Sequence, residues 1–319
     1  MINKKLILFT SLIIGLNSNI VSAASDNSIQ QALDAINSKD YAKAKSLLEK
    51  DSSNPVAQYN LGVMYENGEG VTQDLNKALE CYKKAAKAGN ASAQYNLAMM
   101  YAQGEGVPKD DAKALNYFTM AANQNMPEAQ YNVGLFYLSG VGTKVDDTQA
   151  FNWFSKASQN GNEDASYNLA LMYLDGEGVT ADKAKAQELF QGLAEKGYAE
   201  AQYNLGIMYL EGSVGGKENP DEAAKWLEKA SQANYSEAQY NLALLYVDGK
   251  GVKKDEKTAF DLMSKAANNN LVNAQYNLAM MYLNGLGTEK NKAEAKTWLE
   301  KASKSGDLKA KEELVKIML

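Results

Sequence analysis

Apolar residues return along most of this chain at helical spacing, inside a unit that itself repeats. The unit is clearest from Ala57 to Val71, AQYNLGVMYENGEGV, and it returns from Ala93, Ala129, Ala165, Ala201, Ala238 and Ala274. Successive starts lie 36 residues apart, with one step of 37 between Ala201 and Ala238. Counted from the leading Ala at about 100° per residue, positions 1, 5, 8 and 9 form one apolar sector, as in Ala57, Leu61, Met64 and Tyr65. Positions 3, 7 and 10 form a second, as in Tyr131, Leu135 and Leu138. Position 6 is always Gly or Ala, which lets a neighbouring helix approach. A helix apolar over so much of its circumference must be packed on both sides. The polar strip that remains holds positions 4 and 11.

The rest of each unit predicts a loop and a second helix. Pairs such as Gly68 and Gly70, or Gly104 and Gly106, follow the first helix, where Gly takes a left-handed conformation at no steric cost. The second helix is capped by Asp74, Asp110, Asp146, Asp182 and Asp255, with Asn219 and Asn291 in the other two copies. It is apolar on one face only, as in Ala114 with Tyr117 and Phe118, or Ala150 with Trp153 and Phe154. Gly89, Asn125, Gly161, Gly197, Asn234, Asn270 and Gly306 end it, all of them Gly or Asn.

A fixed period of this size means stacked helix pairs whose neighbours bury one another's apolar faces. The expected repeats are 57–92, 93–128, 129–164, 165–200, 201–237, 238–273 and 274–309. Ahead of them, within 24–56, lie a polar linker and a capping pair predicted over Ser28 to Asn37 and Tyr41 to Lys50. Residues 310–319 read as a closing helix that replaces Tyr-Asn with Glu312 and Glu313. Residues 1–23 read differently: Lys4 and Lys5, a short apolar run from Leu6 to Leu16, then Val21-Ser22-Ala23. That is the secretory signal pattern, with cleavage expected after Ala23 and Ala24 as the alternative. Export to the periplasm is expected, with secretion as the alternative.

Composition narrows the chemistry. There is no His and no Arg, so all 33 basic residues are Lys, and Cys81 is the single Cys. No imidazole is present as base or metal ligand, and one thiol makes neither a disulfide framework nor a thiolate cluster. A net charge of −6 argues against nucleic acid, which needs clustered cations. No cofactor, metal or catalytic residue is expected, and a monomer is. No Ser is followed three residues later by Lys, the motif of penicillin-recognising enzymes.

Together, AxYNLGxMYxxGxGVxxDxxKAxxWxxKAAxxG resembles the Sel1-like repeat of the tetratricopeptide superfamily, from Ala57 to about Leu319. The resemblance implies an all-α fold, a right-handed α-solenoid superhelix of stacked antiparallel helix pairs, with the first helices lining a concave face. It implies a non-enzymatic scaffold or adaptor that binds a protein or peptide partner there, in envelope processes or host contact. The alternative is a peptidoglycan- or β-lactam-active envelope enzyme of the same repeat type. The fifth copy departs from the pattern, with Gly212-Ser213-Val214-Gly215-Gly216 and one extra residue.

Two sets of residues are candidate partner contacts. Asn60, Asn96, Asn132, Asn168, Asn204, Asn241 and Asn277 form a ladder at position 4, able to donate to and accept from an extended backbone. The other reading of this ladder is structural, each amide bonding the neighbouring repeat. At position 11, Asp175, Glu211 and Asp248 form an acidic run suited to a basic ligand, or else a solvated rim. Cys81, Trp153, Trp226 and Trp298 align with core positions and read as packing.

Overall fold

In a computed structural model, residues 26–213 and 215–318 are described. The expected signal segment, 1–23, lies outside them. Every element among the described residues is an α-helix. The opening pair is α1 (Asp26–Asn37) and α2 (Tyr41–Lys50). The seven repeats follow as α3 (Pro55–Asn67) and α4 (Leu75–Lys87), α5 (Ala91–Gln103) and α6 (Asp111–Ala122), α7 (Pro127–Ser139) and α8 (Asp147–Gln159), then α9 (Glu163–Asp175) and α10 (Lys183–Glu195). The last three are α11 (Ala199–Leu210) and α12 (Pro220–Gln232), α13 (Ser236–Asp248) and α14 (Glu256–Asn268), and α15 (Val272–Asn284) and α16 (Lys292–Lys304). α17 (Leu308–Met318) closes the chain. The architecture is an all-α helical repeat solenoid.

The helices form two compact units. One ends at Met172 and includes Gly176–Thr180; the other holds Tyr173–Asp175 and everything from Ala181 onward. In each, a helix packs on its sequence neighbours, and the core is a run of such contacts. In the second unit Leu227, Leu242, Met263, Leu278 and Leu299 belong to one cluster. In the first, Phe118 and Phe136 meet edge to face at 5.6 Å.

The caps explain where the helices start and stop. Asp74, Asp110, Asp146, Asp182 and Asp255, and Asn219 and Asn291, each accept backbone N–H bonds at the start of a second helix. Their own N–H groups bond back to the position-9 carbonyl, as Asp74 does to Tyr65 at 2.9 Å and Asn291 to Tyr282 at 2.9 Å. This closes the loop the same way in all seven repeats. First helices begin two residues ahead of the leading Ala, because Asn54, Asn90 and Asn162 cap them from three residues before it. Met126, Tyr198, Tyr235 and Leu271 hold the same place without a side-chain cap. Tyr235 instead packs on Tyr203, ring centroids 5.2 Å apart.

Outside the fifth copy, the second Gly of the loop pair does more than turn the chain. Gly287 has φ 70° and lies so close to the α14 terminus that an added Cβ would strike the carbonyl oxygen of Glu256. The loop of one repeat therefore docks on the second helix of the repeat before it. In the fifth copy, α11 ends a residue earlier than its counterparts and Gly212, Gly215 and Gly216 all take positive φ. Glycine absorbs the extra residue there.

Candidate functional site

The face to consider is that of the first helices, since the second helices cover only one side of them. The position-4 asparagines lie within the stack. Asn132 Nδ2 donates to the Tyr95 hydroxyl at 3.2 Å, Asn168 to Tyr131 at 3.3 Å and Asn277 to Tyr240 at 3.0 Å. Asn96 and Asn241 stand in the same relation to Tyr59 and Tyr203, each lowering the pKa of its tyrosine. In each case the Tyr is at position 3 of the preceding repeat, so the amide ties adjacent first helices. Asn60, Asn168 and Asn241 also donate to the carbonyl four residues back. Asn132 is 7% exposed and Asn204 3%. These two offer no surface to a ligand, because the neighbouring repeat covers them. The other five are half-buried.

Tyr59, Tyr95, Tyr131 and Tyr203 stay protonated. Burial raises the pKa of Tyr95 and Tyr203, and that of Tyr131 to about 12. Glu128 near Tyr95, Asp164 near Tyr131 and Glu237 near Tyr203 add to the rise.

A second polar ladder, at position 2, was not anticipated from the sequence. Gln94, Gln130, Gln202, Gln239 and Gln275 are all buried. Each donates from Nε2 to a carbonyl near the end of the preceding second helix: Ala86, Ala122, Ala194, Ser231 and Ala267, at 3.0 to 3.3 Å. The signal was available, since Gln stands in this place in six of seven copies. On a wheel it falls between the two apolar sectors, where a polar residue must be satisfied if packed.

The position-11 acids are placed differently. Asp175, Glu211 and Asp248 are exposed, and no salt bridge found among the described residues involves them. Beside them lie the position-3, -7 and -10 side chains. In α7 the first two are tightly covered, with Tyr131 at 7% and Leu135 at 5% exposure, while Leu138 at position 10 is half-exposed. In α11, α13 and α15 all nine are half-exposed, from Tyr203, Ile207 and Leu210 to Tyr276, Met280 and Leu283.

One repeat carries a feature the others lack. Position 10 is Glu66 in α3 and Ala, Leu or Val elsewhere, and Tyr82 in α4 stands where the other second helices have Phe, Leu or Met. The Tyr82 hydroxyl donates to Glu66 at 2.5 Å. Burial raises the Glu66 carboxyl, against the lowering effect of the Tyr82 bond, and Glu105 raises it further.

The aligned core residues behave as packing. Cys81 is buried and burial raises its thiol pKa, the opposite of a reactive thiolate. Trp153, Trp226 and Trp298 are 8 to 9% exposed. Lys156, Lys229 and Lys301 lie over their rings at 4.1, 3.9 and 3.8 Å. Among the described residues no group of three or more acidic or Cys side chains is arranged to hold a metal. No described helix is long and apolar enough to cross a membrane.

Comparison with known proteins agrees with this architecture. The family model described as Sel1 repeat matches seven consecutive segments, 55–90, 91–126, 127–162, 163–198, 199–235, 236–271 and 272–307. Its frame opens at the helix start, two residues before the leading Ala. A Sel1 repeat protein from Oxalobacter formigenes is 30% identical, with a TM-score of 0.73 over 92% of this chain and 88% of its own. A protective antigen present in uropathogenic Escherichia coli strains, with an SLR fold, is 29% identical, with a TM-score of 0.71 over 92% of this chain and 72% of its own. No curated protein sequence matches the chain. Seven matched repeats over nearly the whole described length, and a 30% identical relative of the same build, place the chain in the Sel1 repeat family.

Proposed function

We propose that this protein is an exported, non-enzymatic scaffold that holds a protein or peptide partner against its first helices. Sel1 repeat proteins are generally protein-interaction scaffolds. The observation that carries the reading is the row of half-exposed apolar side chains on α11, α13 and α15. Positions 3 and 7 are closed in α7, at Tyr131 and Leu135, so the repeat can bury them and in α11, α13 and α15 does not. A contiguous apolar surface rimmed by polar residues marks an interaction site. The basic start, apolar run and small residues within 1–23 support export.

The test is capture from an envelope extract on immobilised mature protein, beside a Leu244→Ser, Met280→Ser double variant, which leaves the Asn277–Tyr240 bond in place. Half-exposed side chains should tolerate this change with the helical signal intact. A protein retained by the parent and lost by the variant is the expected result. Equal retention by both would remove the first-helix face from the reading. Turnover of a chromogenic β-lactam, abolished by one point substitution, would replace the scaffold with an enzyme.

A further inference from the structure

The seven first helices of the repeats share a property that the fold does not demand. None of them carries a lysine, although the chain has 33 basic residues, all lysine. Their charged side chains are all acidic. Among the described residues the lysines stand on the second helices, in the loops and in the end helices. Stacking cannot be the cause, because exposed positions such as 11 would accept Lys as readily as the Asp, Glu, Asn, Gln and Ser found there.

In the second unit this one-sided charge meets the half-exposed apolar rows. Asp175, Glu211 and Asp248 hold the same place at the ends of three successive first helices, exposed and outside any ion pair found. The lysine nearest Asp248 in sequence, Lys250, is engaged with Glu218 at 2.7 Å. An acidic edge outside the ion pairs found complements a cationic partner and rejects an acidic one.

Geometry limits the shape of that partner. First helices joined by Asn–Tyr bonds, as α13 and α15 are through Tyr240 and Asn277, stand about 8–10 Å apart. A polyproline-type segment rises about 3.1 Å per residue with three residues per turn. It therefore presents one face every third residue, about 9 Å apart, which matches one side chain per repeat. We infer that the α11, α13 and α15 face, with the acidic edge from Asp175 to Asp248, takes an extended peptide segment with an aliphatic residue at every third position and lysine or arginine between. This names the partner class of the site proposed above and rests on that reading.

Three fluorescein-labelled peptides test it by anisotropy on the mature chain: four repeats of Leu-Lys-Lys, of Leu-Glu-Glu and of Ser-Lys-Lys. Leu-Lys-Lys should bind at least tenfold more tightly than either of the others. The triple variant Asp175→Lys, Glu211→Lys, Asp248→Lys should weaken it at least tenfold. A control with the same change in net charge on second helices, Glu188→Lys, Glu228→Lys, Asp261→Lys, should leave it within about twofold. Failure of Leu-Lys-Lys to bind, equal binding of Leu-Glu-Glu, or an equal loss in the control would overturn the inference. Should any of these occur while envelope capture still depends on Leu244 and Met280, the partner chemistry falls and the face stands. If capture is also indifferent to those two residues, the face itself falls.

Discussion

Glu66 shows what a single side chain can reveal when the same fold is printed seven times in one chain. Six repeats place Ala, Leu or Val at its position, so the carboxyl is not needed for stacking. Its pKa lies above the ordinary value of 4.5, first because burial penalises the charge and then through Glu105, although the Tyr82 hydroxyl opposes both. Titratable groups facing it are Tyr82 on α4, Tyr59 on its own helix and Glu105 in the loop after α5. A carboxyl whose folded pKa is raised binds its proton more tightly in the folded state. Stability tied to it is present below about pH 4.5 and is lost as pH rises through the folded value. Glu66→Gln keeps an acceptor for Tyr82 and removes the charge. The variant should therefore resist urea better than the parent at pH 7, and the two should converge near pH 4. A variant equally stable or weaker at pH 7 would mean that the ionised carboxylate is well solvated.

At the scale of the element, the glutamine ladder offers an experiment the chain has already half performed. Gln94 Oε1 accepts from Gln124 at 2.8 Å and Gln130 Oε1 from Asn160 at 2.8 Å, each donor lying just before the left-handed residue that ends the second helix. At Gln58 and Gln202 the corresponding residues are Ala88 and Ala233, and both Oε1 atoms are buried without a partner among the described residues, as is that of Gln239, where Asn269 holds the place but does not reach it. Supplying a missing donor to a buried acceptor is worth about 0.5–1.5 kcal/mol. Ala88→Asn and Ala233→Asn should each raise the denaturation midpoint by a corresponding amount, and a fall in either would mean that water already serves that oxygen. These helices also show what the sequence could and could not say. Caps, stops and apolar sectors were legible because each depends on a few neighbouring residues, and they recur seven times. The role of Gln130 was not, and that of Asn132 was legible only as one of two readings. A half-polar helix strip looks the same whether it meets solvent or the amide and hydroxyl groups of a neighbour 37 residues away. Tyr235 and Leu271 hid two helix starts for a related reason, since they begin helices through packing rather than through a side-chain cap.

For the molecule as a whole, contacts that join only sequence neighbours make stability a sum of repeat and junction terms. Damage should then stay near its source. Trp226 is 8% exposed, beneath Lys229, on α12. Trp226→Ala should cost about 3–5 kcal/mol where the cavity cannot collapse. Hydrogen exchange followed by mass spectrometry separates a local from a global loss. Amides of α11 to α14 should exchange faster in the variant, while those of α3 to α6 keep their parental protection. A uniform acceleration along the chain would show a single cooperative block. The distinction bears on function, because a scaffold built of semi-independent junctions can lose one stretch of its first-helix face and still present the rest. Loss of partner capture in Trp226→Ala, with α3 to α6 intact, would then place the contact on the second unit without touching any residue of the face.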